Sequence, residues 1–318
     1  MMRTIELTYP HTLLIEDIPE TVAAIGFFDG IHRGHQKVIK TAVAKAKNKN
    51  MESAVITFHP HPSVVLNKEV QHVKYITPLR EKQEILQQLN VDRLYIIKFN
   101  KELSLLSPQN FIDHFIKGLH IKHLIAGFDY TFGHKGQGNM DEISTYADGF
   151  FMSTIIEKVS QSDEKISSTK IRAFLKDGRV EEANTLLGRN LSVKGFVIDG
   201  DKRGTSIGYP TANIQIAEDV LMPKNGVYAV KVFYKNSSYE GMANLGTKPT
   251  FNEKGTIPNL EINILDYNND LYGEELKVEW CKFIRNEKKF SGVDELVSQI
   301  KEDEKQIRDY FSLDRRTN

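Results

Sequence analysis

The run Gly26-Phe27-Phe28-Asp29-Gly30-Ile31-His32-Arg33-Gly34-His35 sets two imidazoles three residues apart in a glycine-punctuated segment. Each ring can donate a hydrogen bond to a phosphate oxygen that gains charge during transfer. The apolar run Thr21-Val22-Ala23-Ala24-Ile25 in front reads as a buried strand. Residues 36–47 behind it read as a helix, with Val38, Ile39, Ala42, Val43 and Ala46 near helical spacing. The histidines therefore fall where a strand hands over to a helix N-terminus, whose free N–H groups and dipole favour an anion. Gly34 removes a side chain that would keep a phosphate off the backbone. Two histidines in a turn are ordinarily only polar surface. The strand, the Gly-x-x-Asp-Gly, the His-x-Gly-His and the helix together favour a nucleotide-phosphate site. Zinc ranks below it, because His-x-x-His with no nearby Cys supplies too few ligands.

The elements that must hold such a site follow from the rest of the chain. At 318 residues, two domains are expected. Composition is that of an ordinary globular protein, 40% hydrophobic and 26% charged. Lys+Arg and Asp+Glu both total 42, so there is no basic excess for holding nucleic acid or an acidic membrane surface. The single cysteine, Cys281, excludes an internal disulfide framework and fits a reducing cytoplasm. It lies in the alternating run 278–283 and reads as structural. No secretory core or bilayer-length apolar run is present.

The first half alternates short apolar strands (53–58, 94–97, 123–127) with helices (78–89, 108–119, the latter with Ser107 as N-cap). That order predicts a parallel sheet with helices on both faces and a ligand site beyond the carboxyl ends of the strands. His32, His35, His59, His61 and the loop 128–138 all follow strand ends and should share one rim. Short helices are expected over 169–176 and 180–187. Beyond Gly188 come strand-like runs (191–198, 227–234, 260–265, 276–283) between Gly- and Asn-rich turns, predicting an antiparallel barrel or sandwich. A charged helix over 293–311, contacting through Leu296, Ile300 and Ile307, closes the chain. The expected domains are residues 1–187 and 188–318.

With these motifs in order, the chain resembles the bacterial bifunctional riboflavin kinase/FMN adenylyltransferases over nearly its whole length. The resemblance rests on 26–35, Thr57-Phe58-His59-Pro60-His61-Pro62, Gly127-Phe128-Asp129-Tyr130-Thr131-Phe132-Gly133 and Ile166-Ser167-Ser168-Thr169-Lys170-Ile171-Arg172 in the first half. In the second half it rests on Gly208-Tyr209-Pro210-Thr211-Ala212-Asn213, Gly226-Val227-Tyr228, Leu260-Glu261-Ile262-Asn263, Leu271-Tyr272-Gly273 and Phe283-Ile284-Arg285. It implies a Rossmann-like α/β nucleotidyltransferase domain, then an antiparallel β-barrel riboflavin kinase domain with a C-terminal helix. The implied substrates and products are ATP, riboflavin, FMN and FAD, with Mg²⁺ as cofactor.

The resemblance implies that the first domain joins FMN to the AMP part of ATP, an in-line displacement in which positioning and charge stabilisation dominate. His32 and His35 would hold phosphates, and Arg172 would clamp them from the other side beside Ser168 and Thr169. Gly26, Phe28, Asp29, Gly34, His59, Phe128 and Asp129 would line the nucleotide or flavin pocket. An ordinary helix cap with a surface Arg, and a turn Asp among core aromatics, are the competing readings.

The second domain would phosphorylate riboflavin. It has no Walker-type P-loop. Residues 200–208 instead offer backbone N–H groups beside cations, with Lys202, Gly204 and Gly208 assigned to the phosphates. Thr211 and Asn213 share a face if extended and supply hard oxygen ligands for Mg²⁺. By family position Glu261, interrupting an apolar strand, would be the general base, with a solvent-facing strand residue as the competing reading; for Thr211 and Asn213 the competing reading is a turn. Arg285 is assigned to the nucleotide, with a salt bridge as its alternative. Family members commonly carry Arg where Thr205 follows Gly204. The competing functions are an adenylyltransferase of other acceptor specificity and a flavin-sensing regulator. Oligomeric state is not readable.

Overall fold

The computed structural model describes residues 1–318 except 68, 71, 162–163, 201–203, 205–206, 217–218, 250–255 and 318. The chain divides into two compact units, Met1–Ser168 and Thr169–Asn318.

The first unit is built on β1 (Arg3–Leu7), β2 (Thr21–Ile25), β3 (Glu52–His59), β4 (Arg93–Lys98), β5 (Ile121–Gly127) and β8 (Met152–Ile156). These form a parallel sheet in the order β1-β4-β3-β2-β5-β8. Two small ribbons, β6 (Thr131–Phe132) with β7 (Gly138–Asn139) and β9 (Ser160–Gln161) with β10 (Glu164–Lys165), lie in the loops around β8. Helices α1 (Arg33–Lys49), α2 (Pro62–Leu66), α3 (Leu79–Gln88), α4 (Lys101–Ser104), α5 (Pro108–Ile112) and α6 (Ile143–Ala147) connect the strands.

Alternation along β2 splits the core into two layers. Val22 and Ala24 pack with Val38, Ile39 and Ala42 of α1 and Ile85 and Leu86 of α3. Ala23 and Ile25 pack on the opposite side with Phe111, Phe115 and Ile143. Helices therefore cover both faces, as the strand–helix alternation predicts. Ile39 is wholly buried, and truncating such a residue to Ala costs about 2–5 kcal/mol.

Two local expectations are corrected and one strand is added. Helix α1 begins at Arg33 rather than 36, because the His32 side chain caps it. The helix expected over 108–119 is α5, capped by Ser107 as expected, followed by a wider π-type turn over Asp113–Lys117. Strand β1 was not foreseen, since an edge strand with a mostly exposed side-chain pattern carries no apolar run.

The second unit contains α7 (Ser168–Asp177, from its second residue), α8 (Val180–Leu187), six strands and α9 (Val293–Thr317). The strands are β11 (Leu191–Ile198), β12 (Ala212–Ile216), β13 (Gly226–Tyr234), β14 (Ser237–Pro249), β15 (Thr256–Ile264) and β16 (Glu275–Arg285). They close into an antiparallel barrel in the order β11-β12-β15-β14-β13-β16. Trp280 and Tyr228 are fully buried and meet edge to face, with ring centroids 5.0 Å apart.

Helix α8 belongs with this barrel. Asn184 donates to the Trp280 carbonyl (2.8 Å) and accepts from the Leu191 N–H (2.7 Å). By packing, the two compact units divide after Ser168. Helix α9 packs through Ile307 and Phe311 against Val227, Ala229 and Cys281, with Ile300 alongside. Leu296 lies outside that cluster. Cys281 is buried there, in keeping with a structural role.

Candidate active sites

In the first unit the strand order reverses between β2 and β5, and the loops after those two strands carry the candidate residues. Such a switch point leaves a crevice beyond the strand ends. The turn after β2 is strained: Phe28 (φ 52°), Gly30 (φ 86°) and Ile31 (φ 39°) all adopt left-handed backbone. For a β-branched residue such as Ile31 this is a genuine outlier, of a kind found at functional sites. Burial holds it in place, with Ile31 at 0% and Phe28 at 3% exposure.

The turn delivers His32 to the Ncap of α1, where its Nδ1 accepts the His35 N–H (3.2 Å). The ring proton of His32 consequently sits on Nε2. The two imidazoles are stacked, with centroids 3.6 Å apart and planes 19° from parallel. Phe28 meets the His35 ring edge to face at 5.3 Å. Desolvation, only partly opposed by the His32 backbone hydrogen bond and by Asp129 and Asp29, brings the His32 pKa down to about 4. His35 is pushed well below the usual histidine range, first by burial, then by His32 and Lys82. Both rings are therefore neutral donors at physiological pH. A stacked pair this close would repel itself if both carried charge.

Several assigned residues turn out to shape this pair. A Cβ on Gly34 would lie 3.1 Å from the His32 ring, so the glycine makes room for that imidazole. A Cβ on Gly26 would lie 2.9 Å from the Phe28 ring. Phe28 is core rather than an exposed pocket wall. Asp29 was expected to face the ligand, but it is buried and its carboxylate accepts the Thr77 N–H (3.1 Å). Ser168 donates to the Asp29 carbonyl (2.8 Å), within the first unit. Thr169 is exposed and Arg172 half-buried on α7, in the second unit.

After β5, Phe128 is 43% exposed, with the Lys165 ammonium 4.8 Å from its ring centroid. Asp129 is exposed and ion-paired to Lys165. His59, exposed at the end of β3, has its pKa lowered first by desolvation and then by Lys82. His61 instead caps α2, accepting the Ser63 N–H (3.1 Å).

In the second unit, β12 and β15 bring the other set together. Asn213 and Glu261 are direct cross-strand partners, with Asn244 of β14 on the far side of Glu261. Leu260, Ile262 and Ile264 alternate into the core, so Glu261 and Asn263 share the opposite face. Asn259 donates to the Glu261 carboxylate (2.7 Å). Thr211 is exposed, and Asn213 is 9% exposed.

Gly200 approaches this face very closely. A Cβ on Gly200 would fall 1.9 Å from the Asn213 amide nitrogen, and one on Gly204 would fall 2.1 Å from the Tyr209 carbonyl oxygen. Gly208 (φ 82°) permits the turn into Tyr209. Lys202, like Thr205, lies outside the described residues. Among the described residues no cluster of three His, Cys, Asp or Glu could hold a metal. Thr211, Asn213 and the glycine-lined loop fit a hard cation that brings phosphate oxygens with it, rather than one caged by carboxylates.

Arg285 takes its alternative reading. Its guanidinium holds Asp303 of α9 through Nε (2.9 and 3.0 Å) and Nη2 (2.7 Å), and Asp303 is 1% exposed. In this structure two of its nitrogens, Nε and Nη2, engage a buried carboxylate.

Three supporting residues were not singled out from the sequence. Asn263 donates to the Pro210 carbonyl (2.7 Å), fixing the backbone beside Thr211. Its signal was present, as the second polar residue in the alternation of β15. Thr57 donates to the Phe27 carbonyl (2.9 Å). Lys82 is 3% exposed, and its position on the apolar stripe with Ile85, Leu86 and Leu89 was the available signal.

Comparison with known proteins yields two family profiles. That of FAD synthetase matches residues 14–170, and that of riboflavin kinase matches residues 187–311. The bifunctional riboflavin kinase/FMN adenylyltransferase of Bacillus subtilis (strain 168) is 46% identical over 312 residues, covering 98% of this chain and 99% of that protein. The Listeria monocytogenes protein of the same name is 47% identical over 311 residues, covering 98% and 99% respectively. A crystal structure from Streptococcus pneumoniae, described as a macrolide-efflux protein, is 36% identical with a TM-score of 0.88, covering 96% of this chain and 99% of that one. Among the described residues of this chain no helix is long and apolar enough to cross a membrane.

Proposed function

The chain belongs to the bacterial bifunctional riboflavin kinase/FMN adenylyltransferase family, and on that premise we propose which residues carry each of its two reactions. The enzyme phosphorylates riboflavin to FMN with ATP, then adenylylates FMN with ATP to give FAD and pyrophosphate. The parallel-sheet unit performs adenylyl transfer and the barrel performs phosphorylation.

The observation that carries the first assignment is the stacked, uncharged imidazole pair at the switch point of the parallel sheet. An FMN phosphate oxygen attacks the ATP α-phosphorus in line, and the bond from that phosphorus to the α–β bridging oxygen breaks, the oxygen leaving with pyrophosphate. His32, through Nε2–H, and His35 donate to phosphate oxygens as charge moves onto the leaving group. Neutral donors fit this role, because they bind the polyanionic pyrophosphate without holding it after reaction. Arg172, by its place in the family motif, clamps the phosphates bidentately. Phe128, exposed beside Asp129 and Lys165, offers a flat apolar face to a ring of the substrate.

In the barrel, Glu261 accepts the ribityl hydroxyl proton while that oxygen attacks the γ-phosphorus and ADP leaves. The Asn213–Glu261 pairing supports this, since it sets a proton acceptor beside a phosphate-side ligand. Thr211 and Asn213 would hold Mg²⁺, which when bound offsets phosphate charge. Gly204, packed against the Tyr209 carbonyl, and Gly208, in its left-handed turn, are assigned to the phosphates. Charge balance and the lone cysteine support action on small molecules in the cytoplasm, with no nucleic-acid or membrane partner.

A time course with riboflavin, ATP and Mg²⁺, with the flavins resolved by chromatography, tests the reading. FMN should accumulate first and FAD follow. Flavin binding without turnover would instead support a sensor, and transfer of adenylate to a different acceptor would overturn the FMN assignment.

A further inference from the structure

The mechanism above leaves one buried charged side chain unused. Lys82, in the first turn of α3, is 3% exposed, yet its ammonium ends directly beneath the strained turn. It donates to the Phe27 carbonyl (2.7 Å) and to Thr57 Oγ1 (3.2 Å), while Thr57 itself donates to the same carbonyl (2.9 Å). Its Nζ also lies 4.8 Å from the Phe27 ring centroid. A few residues upstream, the Thr77 N–H holds Asp29. The start of α3 thus grips the turn on both sides of Phe28, the first of its left-handed residues.

A lysine is an expensive way to satisfy one carbonyl, since burying an ammonium is costly and a neutral donor would serve. The charge needs its own reason. The phosphate-facing rings carry none, while the ligand they meet is a polyanion. We propose that Lys82 is a positioning residue for adenylyl transfer: it holds the Phe27 carbonyl, and through it the turn that aims His32 and His35, and it sets a buried positive charge behind those neutral imidazoles. The inference rests on the assignment of adenylyl transfer to this histidine pair.

The electrostatics agree with the geometry. Burial pushes the Lys82 pKa down to about 8, opposed by Asp29 in the turn. The same charge lowers the pKa of His35 on α1 and of His59 at the end of β3, the latter also facing Glu6 of β1. Lys82 is therefore charged below about pH 8 and loses its charge as pH rises through that value. An uncharged amine can still donate to Phe27, so the alkaline change reports the charge rather than the fold.

The test uses the full-length enzyme and its variants Lys82→Met, Lys82→Arg and His35→Ala. For FMN conversion to FAD, kcat/KM for ATP is followed from pH 6 to 10, since it reports the free enzyme's ionisations. Riboflavin phosphorylation by the same chain controls for folding. Lys82→Met should lose about tenfold or more in FAD formation at pH 7.5, with phosphorylation within about twofold of the parent. The parent should decline above about pH 8, and Lys82→Arg, whose guanidinium stays charged, should retain activity without that decline. FAD formation by Lys82→Met within about twofold of the parent at every pH would overturn the proposal. If Lys82→Met does not fold, the parent and Lys82→Arg decide alone: superimposable alkaline profiles overturn it, and a decline missing only from the arginine variant supports it. The outcomes separate the two assignments. Full FAD formation by His35→Ala removes the histidine reading itself, whereas its loss there and persistence in Lys82→Met removes only the role of Lys82.

Discussion

Asn213 and Glu261 are paired across adjacent antiparallel strands of the barrel, so one backbone register fixes the distance between phosphate-side ligand and proton acceptor. The two lie far apart in sequence. No loop has to close to bring them together, because the β12–β15 ladder holds both, and Asn259 steadies the carboxylate from the same strand. Rigid placement on strands suits a reaction in which positioning supplies much of the rate.

Glu261→Gln should slow riboflavin phosphorylation by roughly 10²- to 10⁴-fold, the usual range for losing a general base. Conversion of supplied FMN to FAD should stay within about twofold. Chromatography of the flavins from both assays checks the split. Equal loss of both steps in a folded protein would refute the division of labour between the units.

Gly200→Ala should suppress phosphorylation without removing a single functional group. The added methyl falls 1.9 Å from the Asn213 amide nitrogen, so Asn213 must leave its position or the loop must lift. A higher Mg²⁺ requirement in the phosphorylation assay, with FAD formation unchanged, is the expected readout.

Acid should destabilise the first unit through its uncharged histidines. His32 and His123 have pKa values lowered to about 4, mainly by desolvation. In the unfolded chain each titrates near 6.5. Stability is then complete above pH 6.5 and falls as pH drops toward 4, because only the unfolded state gains protons in that window. His123 hydrogen-bonds Thr154 Oγ1 (2.8 Å), and His123→Gln keeps a polar partner without the titration. Its melting temperature should fall less between pH 7 and 4.5 than that of the parent.

Arg285→Met should destabilise the barrel by about 3–5 kcal/mol, the usual result of leaving a buried carboxylate without its cation. Asp303 is 1% exposed and depends on that guanidinium for three close contacts. Adding Asp303→Asn should restore part of the loss. Denaturant unfolding of the single and double variants measures the coupling.

Much of this was legible without coordinates. Short apolar strands alternating with amphipathic helices force a parallel sheet with covered faces, and β2, β3, β4 and β5 lie where that pattern puts them. The clustering of His32 and His35 at a strand-to-helix turn was equally plain, since His-x-Gly-His after an apolar run leaves few other placements. By contrast β12 and β14 were missed as strands, because their outward faces are polar and β14 is interrupted by Gly241 and Gly246. Their pairing comes from neighbours in the barrel rather than from their own residues.

What the amino-acid order determined on its own is local: which residues could bond phosphate, which segments are helical, where the chemistry changes character. Tertiary packing decided what those residues are free to do. Asp29, Phe28 and Arg285 have the right chemistry for ligands, yet in this structure each is buried or held by a partner within the protein. Lys82 shows the reverse, since a lysine on an apolar helical stripe has no evident task until the fold brings it under the Phe27 carbonyl. The physical reason is common to both. Desolvation and the identity of the nearest partner govern a polar group's behaviour, and both are set by contacts between residues distant in the chain.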